Sequence, residues 1–173
     1  MKKLARLTAL LLTGALLLVL TACGAVAEPE TEQQAKQRLL KEINSYRATL
    51  ELDPLVEVKQ LSDAEQIWAE QFRAAGKTEL LSSETDATYQ KWESMTADWT
   101  CCDDFGWGWD EREDGEQIDI LSAKVPANTP EGKAELWAAF KKADTFDDEC
   151  KSIGIAVVTI DGQMYWTCDV FHD

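Results

Sequence analysis

Between Ile153 and Phe171 apolar side chains alternate so regularly that two β-strands can be read directly from the chain. The first arm is Ile-Gly-Ile-Ala-Val-Val-Thr-Ile (153–160) and the second Gln-Met-Tyr-Trp-Thr-Cys-Asp-Val-Phe (163–171). Asp161-Gly162 lies between them and supplies the two positive-φ residues of a type I′ turn. That turn pairs Thr159 with Met164, Val157 with Trp166 and Ile155 with Cys168. Ile153, Ile155, Val157, Met164, Trp166 and Val170 then share one face, and Gly154, Ala156, Val158, Tyr165 and Phe171 the other. Both faces are apolar, so both need helices against them.

The chain supplies helices. Leu39, Ile43, Tyr46 and Leu50 recur at helical spacing and predict a first helix over about Gln33–Leu50. Pro54 stops it, because a proline disfavours helical geometry at the preceding Asp53. A second helix is expected from Ser62, read as an N-cap with Glu65 three residues on. Its buried face is Ala64, Ile67, Trp68, Phe72 and Ala75, and Gly76 ends it. Thr129-Pro130 reads as an N-cap followed by an N1 proline, opening a third helix with Leu136, Trp137 and Phe140 inward. Helices before and between strands, around a two-faced sheet, imply a three-layer α/β/α sandwich.

The N-terminal stretch reads as an address. Lys2, Lys3 and Arg6 precede an apolar run from Leu7 to Leu20, too short for a comfortable membrane span. The run ends Leu20-Thr21-Ala22-Cys23, which looks like a bacterial lipobox. Residues 1–22 are thus expected to be a lipoprotein signal peptide, with Cys23 lipidated and residues 23–32 forming an acidic, Pro-interrupted tether. The competing reading is an ordinary secretory leader cut near Ala27, with Cys23 lost. Two acyl chains make a stable anchor where one is marginal, so the expected location is the extracytoplasmic face of a bacterial cell membrane. Residues 33–173 are then one domain with one core.

Charge narrows the partners. The leader holds three of the 17 basic residues and none of the 32 acidic ones, leaving 14 against 32, a net −18. Such a surface is repelled by phosphate backbones and anionic headgroups, which excludes nucleic acid as a partner.

The most unusual composition lies in 92–116, where Trp92, Trp99, Phe105, Trp107 and Trp109 alternate with Asp103, Asp104, Asp110, Glu111, Glu113 and Asp114. One reading is a ligand-binding loop, with aromatic faces for a sugar or peptide and carboxylates for polar groups or Ca²⁺. The other is a long loop pinned to the core by its tryptophans, with its acids in water. Gly106 and Gly108 let the chain bend closely around Trp107. No Asp-x-Asp-x-Asp-Gly spacing is present, and no glycine-rich phosphate loop occurs.

Fragments along residues 35–173 resemble the CAP superfamily of cysteine-rich secretory proteins, antigen 5 and pathogenesis-related 1 proteins. Asn44, Arg47, Pro54, Leu55, Trp68 and Ala69 match its opening in order and spacing. Gly115-Glu116-Gln117-Ile118 is close to its Gly-Glu-Asn-Ile, and Thr129-Pro130-Glu131 with Trp137 matches the helix of bacterial members. Ile153-Gly154-Ile155-Ala156 and Tyr165-Trp166…Asp169-Val170-Phe171 look like its last two strands. The resemblance implies a CAP-like α/β fold and its strand order. It also implies a groove that in many members holds a divalent metal on two His and two acids. Here the stretches expected to carry those His read Lys77–Thr85 and Phe140–Ala143, without one, and the chain's one His is His172. Imidazole is the usual zinc anchor and neutral-pH base, so no metal, cofactor or catalytic residue is assigned. Of the groove acids only Glu116 has a counterpart.

Four cysteines remain beside Cys23: Cys101, Cys102, Cys150 and Cys168. An exported chain lets them oxidise. Neighbouring Cys101 and Cys102 are too close to bridge easily, and the hairpin register holds Cys150 away from Cys168. Each of Cys101 and Cys102 is therefore expected to bridge to one of Cys150 and Cys168, clamping the tryptophan-rich segment to the hairpin. The reading is a membrane-anchored, non-catalytic binding module for a small ligand, peptide or cell-wall component, with Trp107, Trp109 and Glu116 as its candidate ligand contacts. The alternatives are a hydrolase of peptide or cell-wall material built on Glu116, and a structural surface module.

Overall fold

The computed structural model describes residues 29–143 and 148–172. The expected signal peptide, Cys23 and the first part of the expected tether lie outside the described residues. One compact unit begins at Thr31. In chain order its elements are α1 (Glu32–Thr49), β1 (Val56–Glu57), α2 (Lys59–Ala75), β2 (Glu79–Leu81) and α3 (Ser82–Thr96). There follow β3 (Thr100–Phe105), β4 (Trp107–Glu111), β5 (Gln117–Leu121), α4 (Pro130–Ala143), β6 (Ser152–Ile160) and β7 (Gln163–His172).

The hairpin β6–β7 has the register its sequence dictates, with Thr159 opposite Met164, Val157 opposite Trp166 and Ile155 opposite Cys168. Asp161 (φ 49°) and Gly162 (φ 77°) make the turn. It forms the centre of a four-stranded sheet ordered β1-β6-β7-β3, with β1 parallel to β6 and β3 antiparallel to β7. Ile153, Ile155, Val157, Trp166, Cys168 and Val170 pack with Leu39 and Ile43 of α1 and Leu136 and Phe140 of α4. On the other face Ala156 and Val158 meet Trp68, Ala69 and Phe72 of α2. The result is the three-layer α/β/α arrangement.

Local chemistry explains the boundaries. Thr31 caps α1 through a reciprocal pair: its Oγ1 accepts from Gln34 N at 3.3 Å, and Gln34 Oε1 accepts from Thr31 N at 2.9 Å. Leu50, the last member of the expected stripe, lies beyond the helix and is exposed. The Asn-x-x-Arg pair is structural. Asn44 clasps the Pro54-Leu55 turn by donating to Leu55 O (3.1 Å) and accepting from Leu55 N (2.8 Å). Arg47, fully buried, donates to Asp53 O at 2.7 Å and Cys150 O at 3.1 Å. At α4, Thr129 Oγ1 accepts from Gly132 N at 3.2 Å, the cap expected of it.

Several expectations are corrected. The second helix starts at Lys59, not at Ser62, and Ser62 is buried inside it. Its hydroxyl is used across the layer interface, donating to Glu57 Oε1 at 2.8 Å and accepting from Ile155 N at 3.2 Å. Ala75, expected inward, is exposed. The tryptophan-rich stretch 92–116, expected as a long loop, holds the end of α3 and strands β3 and β4, with a turn leading to β5. β4 joins β5 and β2 in a second sheet, ordered β2-β5-β4. The chain changes sheet at Gly106 (φ 92°), where a Cβ would lie 2.3 Å from Trp166 O. Gly108 meets no such demand, with nothing within 4 Å of a Cβ built on it.

Candidate functional site

The face of the small sheet carries the most distinctive surface of the molecule. In the β4–β5 ladder Trp109 stands opposite Asp119 and Trp107 opposite Leu121. Directly paired residues share a face, as do residues two apart in a strand, so Trp107, Trp109, Asp119 and Gln117 project together. α3 lies beside them and contributes Ser82, Thr85, Asp86 and Tyr89, while α2 contributes Trp68. Together they line a cleft of about 360 Å³. Trp68 meets Trp107 edge-to-face at 5.5 Å and Tyr89 at 6.5 Å between ring centroids. Trp109 stands clear, 65% exposed. The Trp68 indole N–H is buried and finds no acceptor among the described residues.

Asp119 forms the polar floor and is only 7% exposed. Ser82 Oγ donates to its Oδ1 at 3.2 Å, and Thr85 Oγ1 donates to its Oδ2. Among the described residues no Lys or Arg reaches Asp119, and none reaches Asp86 at the rim.

Behind the aromatic wall lies a buried acid pair. Trp107 Nε1 donates to Asp169 Oδ1 at 2.9 Å. Glu65 accepts from Trp92 Nε1 at 2.8 Å and from Thr167 Oγ1 at 2.9 Å. Burial pushes the Asp169 carboxyl well above the usual range, and the facing Glu65 carboxylate pushes it further. Burial raises Glu65 as well, against the hydrogen bonds it accepts from Asp169, Trp92 and Thr167. Asp169 is the more strongly raised of the two, so burial favours its neutral form. Its Oδ2 is buried and meets no hydrogen-bond partner among the described residues. Both carboxyls are sealed from solvent. Their evident work is to fix Trp107 and Trp92 in place.

Of the residues singled out from sequence, Trp107 and Trp109 come together in the cleft, one as wall and one as exposed rim. Glu116 does not join them. It is exposed in the β4–β5 turn, where its N–H donates to Asp114 Oδ1 at 3.2 Å and its Oε2 lies 3.7 Å from Arg112 Nη1. His172 sits 3.8 Å from Glu149.

No disulfide is seen among the described residues. The ladder places the four thiols on two faces of the sheet. A bulge between Cys101 and Asp103 sets Cys101 opposite Phe171, on the Asp169 face of the sheet. Cys102, Cys150 and Cys168 belong to the core on the opposite face. Burial raises the thiols of Cys101, to about 12, and of Cys168, and the Asp169 carboxylate position adds to both.

Sequence reasoning missed Trp68, Ser82, Thr85, Asp86, Tyr89 and Asp119 as members of one site. Ser82, Asp86 and Tyr89 do recur at helical spacing, a signal that was there to use. Asp119 interrupts an otherwise apolar Ile118–Leu121 strand.

The family model of the cysteine-rich secretory protein family (CAP) matches residues 40–170. No curated protein matches the chain. Among the described residues no group of three or more His, Cys, Asp or Glu is placed to hold a metal ion.

Proposed function

Since the chain belongs to the cysteine-rich secretory protein (CAP) family, whose members are extracellular modules, we propose that it is a membrane-anchored binding protein that holds a ligand in the Trp109 cleft without turning it over. On this reading Cys23 carries the lipid and the domain faces the cell exterior. The carrying observation is Trp109 itself. A large indole, 65% exposed, stands opposite a nearly buried carboxylate, at the mouth of a cleft lined by three further aromatic residues. Aromatic anchors beside a few convergent polar groups are what ligand sites require.

Binding without turnover is supported by the placement of the acids. Glu116 is outside the cleft lining, Glu65 and Asp169 are sealed behind Trp107, and Asp119 already accepts from two hydroxyls, which leaves Asp86 as the single exposed acid of the lining. A general acid or base must reach the proton it moves. Tryptophan fluorescence titrated with soluble cell-wall fragments, oligosaccharides and peptides should show saturable binding. Trp109→Ala should weaken it about tenfold or more. Binding indifferent to Trp109→Ala, or sustained hydrolysis of a bound probe, would overturn the proposal.

A further inference from the structure

We infer that the ligand presents an alkylammonium group to this cleft, seated against the Trp109 and Trp107 rings and facing the Asp119 carboxylate. The inference rests on the binding reading above and specifies its chemistry. Asp119 carries it. Aspartate is almost never buried to this extent without a cationic partner. Here a 7%-exposed carboxylate has two neutral hydroxyl donors and, among the described residues, no Lys or Arg. Asp86 adds a second acid at the rim, and no basic side chain lines the cleft.

The aromatic lining points the same way. Indole faces carry negative electrostatic potential and attract ammonium groups, more strongly where water is excluded. A neutral sugar could stack on Trp109 but would leave the Asp119 charge uncompensated. A carboxylate or phosphate ligand would meet two acids and no counter-charge. At longer range the chain's net charge of −15 attracts cations from every side.

Two sources share this chemistry, a quaternary ammonium of the choline type and the primary ammonium of a lysine side chain. The test is a titration of the folded protein, followed by tryptophan fluorescence, with choline, Nα-acetyl-lysine methylamide and 3,3-dimethylbutan-1-ol. The alcohol is the uncharged isostere of choline. An N-acetylglucosamine oligosaccharide is the fourth probe. At least one ammonium probe should bind about tenfold or more tightly than the alcohol, with added salt weakening it. The preferred probe identifies the source. Asp119→Asn keeps an oxygen that accepts from one of the two hydroxyls and an amide that can donate to the other, and should weaken that probe about tenfold. If the Asn variant does not fold, Asp86→Asn, at an exposed position, should still weaken the probe measurably. Equal affinity for choline and the alcohol, or no loss in either variant, overturns the ammonium assignment. Trp109-dependent binding of the oligosaccharide alone also overturns it, while leaving the cleft as a binding site. If all four probes fail to bind, the assignment and the binding reading fall together.

Discussion

Asp169 shows how far a single residue's chemistry depends on where the fold puts it. In the sequence it is one polar position in a strand, and Glu65 reads as the third residue of a helix cap. In the structure they face each other in the core and both carboxyls are pushed up, which favours a single proton held by the pair, because burying two adjacent charges costs more than keeping one carboxyl neutral. This fixes a pH dependence. The folded chain holds a proton that the unfolded chain releases above a pKa of about 3.9. The folded form therefore binds more protons over that window, and stability from this pair falls as pH rises. It is fully present below the unfolded pKa and lost as pH climbs through the raised folded one. The contribution is up to about 1.4 kcal/mol per pH unit. Asp169→Asn, which still offers Trp107 an acceptor and Glu65 a donor, should flatten that slope in urea unfolding followed from pH 4.5 to 8. Parallel profiles for the two proteins would contradict a shared proton. Nothing in the sequence could have paired these two residues, since the contact joins a helix to a strand 104 positions away in the numbering.

At the scale of elements, legibility followed the strength of the local signal. The hairpin register could be read residue by residue, because Asp161-Gly162 fixes the turn and a one-residue slip would turn every apolar side chain over. α1 was legible from its stripe, and α4 from its stripe and its Thr129-Pro130 cap. α3 was not, because Ser-Ser-Glu-Thr-Asp-Ala-Thr-Tyr-Gln-Lys-Trp-Glu-Ser-Met-Thr is polar nearly all round and buries only Thr85 and Thr96. Its helix is held by tertiary contact rather than by an apolar face. The start of α2 was misplaced for a related reason. Ser62 looks like a cap, but its hydroxyl serves the neighbouring strands. The same interface explains Gly154, whose added Cβ would lie 2.7 Å from Leu61 C and O. Gly154→Ala must push α2 off the sheet and should cost about 3 kcal/mol in denaturant unfolding. Gly108→Ala, with open space around its Cβ, should stay within about 0.5 kcal/mol of wild type. Similar losses in the two variants would show that backbone propensity, not the α2 contact, sets the cost.

For the whole molecule, charge and attachment have to be considered together. A domain with 14 basic against 32 acidic residues after position 22 gains nothing from anionic headgroups and is pushed away from them. Among the described residues no helix is long and apolar enough to cross a membrane. If the protein resides at a membrane, a covalent anchor must hold it there against its own electrostatics, and Cys23 after Leu20-Thr21-Ala22 is the position in the sequence suited to that role. Hydrophobic anchoring by acyl chains is worth about 0.8 kcal/mol per buried CH₂ and does not weaken with salt. Electrostatic attachment, by contrast, is screened within about 10 Å at 0.1 M ionic strength. The two are therefore separable by washing. Wild-type protein should stay with membranes through a high-salt wash and leave only in detergent. Cys23→Ser should appear in the medium or accumulate as uncut precursor. Release of wild type by salt, or an equally membrane-bound and processed Cys23→Ser variant, would show that the lipid anchor is not what holds the domain in place.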